Sequence, residues 1–337
     1  YIGETLRYLM SVPPSPDDNN HKVRLAFGNG LRPDVWPNFK ERFGIEQIAE
    51  FYAATEAPSA LFNVSKNKFT EGAVGVNGKL VSLLMGSTSV VVEMDFEENT
   101  PIRDKKTGLL KPVPAGSPGE LLFKLDPADI EQGFQGYYKN KGATSKKILR
   151  DVLAKGDAYF STGDIMRKDD EGRWFFCDRI GDTFRWKSEN VSTAEVAEIL
   201  GQKPHLLEEA NVYGVTVPSH DGRAGCCAVI LTEDHHQNFQ SSGAVDQKLL
   251  AEVAEHAQKH LPRYAVPIFL RIIADGGVSN RTGTNKQQKT GLRDEGIELE
   301  KVHAKGDHLY WLPPGSKTYV RFHEDDHKKL SAGQLKL

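Results

Sequence analysis

The spacing of apolar residues divides the chain into three textures. In the first, Ile2, Leu6 and Leu9 recur at helical spacing and predict an amphipathic helix over residues 1–10. The run Pro13-Pro14-Ser15-Pro16-Asp17-Asp18-Asn19-Asn20 is a polar, turn-rich loop. Residues 23–27 predict a short buried strand, ended by Gly28-Asn29-Gly30. Pro33 suits a helix start, Asp34 adds negative charge to the first turn, and Trp36, Phe39 and Phe43 carry the helix to a stop at Gly44. Residues 45–51 predict the next strand, running into Tyr52-Ala53-Ala54-Thr55-Glu56. Strand, helix, strand in this order implies a parallel sheet.

From about residue 80 the helical rhythm gives way to strands at residues 89–94 and 119–125, separated by Gly/Pro loops. Residues 158–168 and 173–177 are predicted to pair across the turn Asp169-Asp170-Glu171-Gly172, in an antiparallel or barrel-like subdomain. The third texture follows Arg179-Ile180-Gly181-Asp182. Ser192-Thr193-Ala194-Glu195 opens a helix through Leu200 with a capping-box pattern. Strands at 209–217, 226–231 and 268–273 and a helix at 245–260 complete a small α+β domain. The expected class is α/β, with residues 1–180 as one domain and 181–337 as a second.

Composition narrows the function. The 337 residues carry 43 Lys and Arg against 46 Asp and Glu, a net charge of −3, which argues against a nucleic-acid partner. Apolar residues at 39% suffice to fill a core, and the longest mostly apolar stretch, residues 80–92, is too short for a membrane-spanning helix. Cys177, Cys226 and Cys227 fit neither a disulfide framework nor a metal site, so a reducing, intracellular compartment is expected. The sequence starts at Tyr1 without a signal peptide and is expected to begin inside a domain.

Four clusters carry candidate chemistry. Tyr52 to Glu56 lies at the carboxyl end of a predicted parallel strand, where ligands bind. There a ring stacks on a base, a hydroxyl holds a phosphate oxygen and a carboxylate holds Mg²⁺. In Tyr159-Phe160-Ser161-Thr162-Gly163-Asp164, the carboxylate after a tight turn suits the hydroxyls of a ribose. The charged, glycine-bearing run Cys177 to Val191 suits a hinge. In Arg281-Thr282-Gly283-Thr284-Asn285-Lys286-Gln287-Gln288-Lys289, a lysine on a Gly/Thr loop is placed to meet developing negative charge. Taken singly, each also reads as an ordinary strand end, Asx turn, solvated linker or basic loop.

The order of the four clusters resembles the second half of an adenylate-forming (AMP-binding) enzyme, and most closely the fatty acid transport protein and very-long-chain acyl-CoA synthetase branch. Asp178-Arg179-Ile180-Gly181-Asp182-Thr183-Phe184-Arg185-Trp186-Lys187, Asn29-Gly30-Leu31-Arg32-Pro33-Asp34-Val35-Trp36, the Thr282-Gly283-Thr284 run with Lys286, and Leu309-Tyr310-Trp311 carry the likeness, which extends over the whole chain. It implies an α/β layer and a β-barrel-like subdomain of the large domain, followed by a small mobile domain. By this resemblance Gly28, Asn29 and Gly30 line the adenine pocket and Tyr52 stacks on the base. Thr55 binds the α-phosphate, Glu56 the Mg²⁺, and Asp164 and Arg179 the ribose. Lys286 stabilises charge as the acyl-adenylate forms. Gly181 and Asp182 are the hinge, and Ser188 and Glu189 border the CoA channel. ATP, Mg²⁺ and CoA are the implied cofactors and a long- or very-long-chain fatty acid the implied substrate.

The same resemblance implies a peripheral membrane location, at the peroxisome, endoplasmic reticulum, lipid droplet or plasma membrane. Leu335-Lys336-Leu337 is a weak peroxisomal address. Ala53 and Ser188 stand where the family has glycine, and Asn285 where it has phenylalanine. The family's triphosphate-binding Gly/Ser/Thr loop is absent, so the chain is expected to be a partial sequence, inert in isolation. A transport role with secondary ligation, and a different carboxylate substrate such as a bile acid or an amino-acid-derived side chain, remain the alternatives. Three histidine features are set aside. His323-Glu324-Asp325-Asp326-His327 lacks the buried helix and third ligand of a zinc site. His256 and His260 are expected to be solvated, and His235-His236 to lie in a polar loop.

Overall fold

β1 (Leu25–Gly28) and β2 (Gln47–Tyr52) run parallel, joined by the helix Trp36–Phe43, and β3 (Leu61–Ser65) adds antiparallel to β2. This is the strand–helix–strand unit the sequence predicts, seen here in a computed structural model. The structure describes every residue except Glu4, residues 79–87, Glu97, residues 278–287 and Lys336. Lys286 and its loop therefore lie outside the described residues. The helix starts at Trp36 with Pro37 in its first turn rather than at Pro33, and Gly44 stops it in the left-handed conformation, φ 61°. Trp36 and Phe39 are its buried anchors.

Burial on this sheet runs against composition. Along β3 the inward residues are Leu61, Asn63 and Ser65, while Phe62 and Val64 face outward, 51% and 46% exposed. Phe27, 55% exposed, stacks on Phe51 with ring centroids 5.1 Å apart and leans on Phe62 at 6.3 Å. The expectation of a buried strand over 23–27 is thus corrected: Val23, Leu25 and Phe27 are all exposed. Nothing among the described residues covers that face of the sheet.

The next sheet has the order β4-β11-β10-β8-β5, with β9 also pairing β10. Its strands are β4 (Gly75–Val76), β5 (Ser89–Val92), β8 (Pro118–Leu125), β9 (Ile148–Arg150), β10 (Ala158–Lys168) and β11 (Arg173–Arg179); the short pair β6 (Met94–Asp95) and β7 (Thr100–Pro101) stands apart. Among the described residues the edge strands β4 and β5 do not pair, so the sheet is open there and the barrel-like expectation is corrected. β4 meets β11 over only two residues, too short an edge to continue a ladder around a barrel. Both faces are packed. Leu121, Phe123 and Leu125 join Phe160, Met166 and Trp174 on one side, while Leu122 joins Val92, Leu110, Val152 and Tyr159 on the other. The predicted Asp169–Gly172 turn joins β10 to β11. Gly172 sits at φ 81°, and a Cβ there would lie 2.1 Å from the Asn77 carbonyl oxygen. Gly172→Ala should therefore destabilise the protein by about 1–3 kcal/mol, measured by urea unfolding.

The remaining strands form a hairpin, β12 (Phe184–Trp186) with β13 (Glu189–Val191), and a five-stranded sheet. That sheet runs β14 (Leu207–Thr216), β15 (Arg223–Leu231), β16 (Phe269–Ile272), β17 (His308–Trp311) and β18 (Val320–Arg321). Only β15 and β16 pair in parallel, and the helices Glu233–Ser242 and Gln247–His260 make the crossover. Ser192 caps the helix Thr193–Gly201, its Oγ accepting from the Glu195 N–H at 3.2 Å.

Two histidine expectations are corrected. His235 and His236 lie in the helix Glu233–Ser242, which Glu233 and Asp234 favour at its N-terminus and Gly243 ends at φ 67°. His256 is buried and donates to the Ile199 carbonyl at 2.9 Å, because its face of the long helix packs on Thr193–Gly201. Cys226 and Cys227 are fully buried in β15.

The chain divides into two compact units: Tyr1 with Ser15–Gly181, and Ile2–Pro14 with Asp182–Leu337. Residues 2–14, expected in the first domain, pack in the second unit, and their helix is Thr5–Ser11. It buries Leu6 and Arg7 and leaves Ile2 and Leu9 exposed, so the three apolar residues do not share a buried stripe. Tyr8 Oη donates to Glu209 of β14 at 3.4 Å.

Candidate nucleotide site

Tyr52 ends β2, and its hydroxyl donates to Asp164 Oδ2 at 2.5 Å. Asp164 faces Arg179 in the antiparallel register of β10 and β11, with Arg179 Nε 3.9 Å from Oδ1. Residues far apart in the chain are thereby brought together. The irregularity that aims Asp164 is local: β10 pairs with β8 up to Ser161 and resumes at Ile165, with Gly163 between at φ 81°. Glu120 of β8 fills the gap. Its Oε1 accepts from Ser161 Oγ at 2.5 Å and from the Gly163 N–H at 3.1 Å. Lys147 Nζ donates to the Thr162 carbonyl at 2.9 Å, and Thr162 Oγ1 accepts from the Asp164 N–H at 3.1 Å. Burial pushes the Asp164 carboxyl up, against the pull of the Tyr52 hydroxyl and the Arg179 charge. Burial and the Asp164 charge raise the Tyr52 phenol, which stays a donor. The result is a carboxylate with one exposed cation beside it, geometry suited to a pair of vicinal hydroxyls.

The Gly28-Asn29-Gly30 turn leaves β1 opposite Glu50 of β2. A Cβ on Gly28 would lie 2.1 Å from the Tyr1 carbonyl oxygen, and Gly30 adopts φ 80°, so both positions require glycine. Glu50 is fully buried; it accepts from the Gly30 N–H, from the Leu31 N–H at 3.3 Å and from the Tyr1 hydroxyl. Burial pushes its carboxyl up to about 7. A carboxyl that holds its proton more tightly in the fold than in the unfolded chain destabilises the fold once ionised. Its contribution is intact below its ordinary value of 4.5 and is lost as pH rises through about 7. The loss over that window is about 3 kcal/mol. Glu50→Gln should flatten this part of the profile, read as thermal midpoints at a series of pH values.

Thr55 is exposed after the strand end, and Glu56 accepts from Tyr137 Oη at 3.0 Å. One carboxylate with phosphate oxygens from a substrate suits a hard cation such as Mg²⁺. Among the described residues no group of three or more His, Cys, Asp or Glu side chains forms a metal cage. Ala53 does not adopt a positive φ, so its departure from glycine adds no backbone strain. Ser188 does, at φ 67° beside Lys187 at 51°, in the tight turn of the β12–β13 hairpin that also presents Glu189.

Gly181, φ 85°, is the last residue of the first unit, and Asp182, the first of the second, lies 3.4 Å from Lys289 Nζ and 3.6 Å from Arg293. Lys289 Nζ also donates to Thr193 Oγ1 at 2.5 Å. Sequence reasoning missed Glu50, Glu120, Tyr137 and Lys147. For the two glutamates a signal existed, a single acidic residue inside a mostly apolar strand.

No family model matches the chain. It is 42% identical over 338 residues to "Isopenicillin N epimerase component 1" of Hapsidospora chrysogena, covering 98% of this chain and 53% of that protein. It is 43% identical over 322 residues to a "Very long-chain fatty acid transport protein" of Cochliobolus heterostrophus, covering 96% of this chain and 48% of that protein. Over nearly its whole length the chain is similar to very long-chain and long-chain fatty acid transport proteins, at 37–43% identity. It spans about half the length of the curated relatives it matches. Its fold is like that of the C-terminal half of solved acyl-CoA ligases. The anthranilate CoA ligase solved with anthranoyl-AMP aligns at a TM-score of 0.65 and 19% identity, over 89% of this chain and 50% of that one.

Proposed function

We propose that this chain works in ATP-dependent activation of a long- or very-long-chain fatty acid, first to an acyl-adenylate and then to acyl-CoA. The observation that carries the reading is the convergence of the Tyr52 hydroxyl, the Asp164 carboxylate and the Arg179 guanidinium at one strand end. A carboxylate is a poor electrophile because its leaving group would be oxide. ATP supplies the remedy: a carboxylate oxygen bonds the α-phosphorus as pyrophosphate leaves, and the CoA sulfur then bonds the acyl carbon as AMP leaves.

The chain's own groups bind and orient. Asp164 and Arg179 take the ribose, Tyr52 offers its ring to the purine beside Gly28, Asn29 and Gly30, Thr55 meets the α-phosphate and Glu56 the Mg²⁺. Lys286 stabilises the charge on the reacting oxygens. Gly181 and Asp182 serve as the hinge between the two half-reactions, with Ser188 and Glu189 toward the CoA arm. Relatives named for fatty acid transport support coupling of ligation to uptake at a membrane surface. No helix among the described residues is long and apolar enough to cross a membrane.

The test is a protein of the relatives' full length given ATP, CoA and a panel of fatty acids. Release of AMP and pyrophosphate with acyl-CoA is expected, and Asp164→Ala should abolish AMP binding. Failure of the unaltered protein to bind AMP would sink the reading. The relative named for isopenicillin N epimerase favours a second reading, a ligase for another carboxylate; the same panel, extended to polar acids, separates the two.

A further inference from the structure

Glu50 lies outside the set of groups that meet substrate above, yet it is the most thoroughly enclosed carboxylate of the first unit, with no solvent exposure. A carboxylate removed from water persists only where its oxygens are occupied. Here two of its three donors are consecutive backbone N–H groups of the glycine turn, at Gly30 and Leu31. The third is the Tyr1 hydroxyl.

We infer that Glu50 is a positioning residue for the nucleotide: its carboxylate fixes the Gly28–Leu31 turn in the shape that meets the purine. The inference rests on the adenine-pocket reading of that turn. Gly30 at φ 80° points its N–H inward, a conformation with no ladder partner of its own, and Glu50 Oε1 supplies the acceptor. Register explains why this residue does it. Glu50 pairs with Gly28 across β1 and stands two residues before Tyr52, on the same face of β2. One strand thus holds both the ring offered to the base and the brace of the turn beside it. Its other cross-strand neighbour, Asn63, is equally buried but committed elsewhere, donating at 2.7 Å to the carbonyls of Thr70 and Ala73.

That neighbour provides the control. AMP is titrated calorimetrically into a protein of the relatives' full length and into its Glu50→Ala, Glu50→Gln and Asn63→Ala variants. Losing the charged acceptor of two N–H groups should weaken AMP at least about tenfold in Glu50→Ala. Glu50→Gln keeps an oxygen for both N–H groups and should restore most of the affinity, while Asn63→Ala should lower stability and leave affinity near that of the unaltered protein. Hydrogen exchange at Gly30 and Leu31 should quicken in Glu50→Ala alone. In that full-length protein the same substitution should raise the KM for ATP far more than it lowers kcat. Unchanged AMP affinity in Glu50→Ala overturns the inference, as does an equal loss in Asn63→Ala, which would mark general loosening. If the unaltered protein binds no AMP, the adenine-pocket reading itself has failed, a result distinguishable from either.

Discussion

Lys286→Ala, made in a protein of the relatives' full length, is expected to slow acyl-adenylate formation about 100- to 1,000-fold, the usual consequence of removing one preorganised donor from developing negative charge. Lys289 follows three residues later in the sequence, and the structure gives it a different role. Lys289 is tied to Asp182 at 3.4 Å and to Thr193 Oγ1 at 2.5 Å, so its charge is used in holding the C-terminal unit together. Gln288 is fixed too, its carbonyl accepting from Asn211 Nδ2 at 3.3 Å. Lys289→Ala should lower thermal stability and spare most of the adenylation rate, whereas Lys286→Ala should do the reverse. Pyrophosphate exchange dependent on the fatty acid measures the first half-reaction directly. Normal exchange in Lys286→Ala would remove the lysine from the chemistry.

Asp307→Ala should unfold the C-terminal unit more readily by about 3–5 kcal/mol, as expected when one partner of a buried ion pair is deleted. Arg271 sits in β16 with no exposed side-chain surface. Its Nε is 2.8 Å and its terminal nitrogen 2.6 Å from Asp307 Oδ2, and Glu295 approaches the same nitrogen at 2.7 Å. Asp307 Oδ1 also accepts from the Ala274 N–H at 2.9 Å. Truncation leaves a guanidinium in the core whose one remaining carboxylate, Glu295, is itself shared with Lys305. Denaturant unfolding followed by the fluorescence of Trp311 in the neighbouring strand β17 would register the loss. Arg271→Met combined with Asp307→Leu should recover much of it, because an apolar pair of similar bulk carries no desolvation penalty.

Local grammar was legible in the sequence. Gly44, Gly172 and Ser192 each act through backbone geometry that depends on a few neighbours, and the helix end, the turn and the cap stand where those residues put them. The strand end at Tyr52 and the glycine turn before Asp164 were legible for the same reason. Which face of a strand turns inward was not. β3 hides Asn63 and Ser65 and shows Phe62 and Val64, and only the partners of Asn63, at Thr70 and Ala73, explain the choice. Glu50 and Glu120 escaped notice because their donors are backbone N–H groups and hydroxyls supplied by other strands and loops. The site read from the sequence was the set of groups that point toward a ligand; the groups that hold those in place emerged from tertiary contacts.

The outward rings of Phe27, Phe51 and Phe62 set how the polypeptide behaves in a test tube. Stacked aromatics side by side in water form an adhesive stripe, and such stripes gather copies of a protein or take up an apolar dye. Solubility at high concentration will therefore be governed by this small patch and not by the near-neutral charge of the whole, and a mild detergent will do more to keep the preparation dispersed than any change of salt.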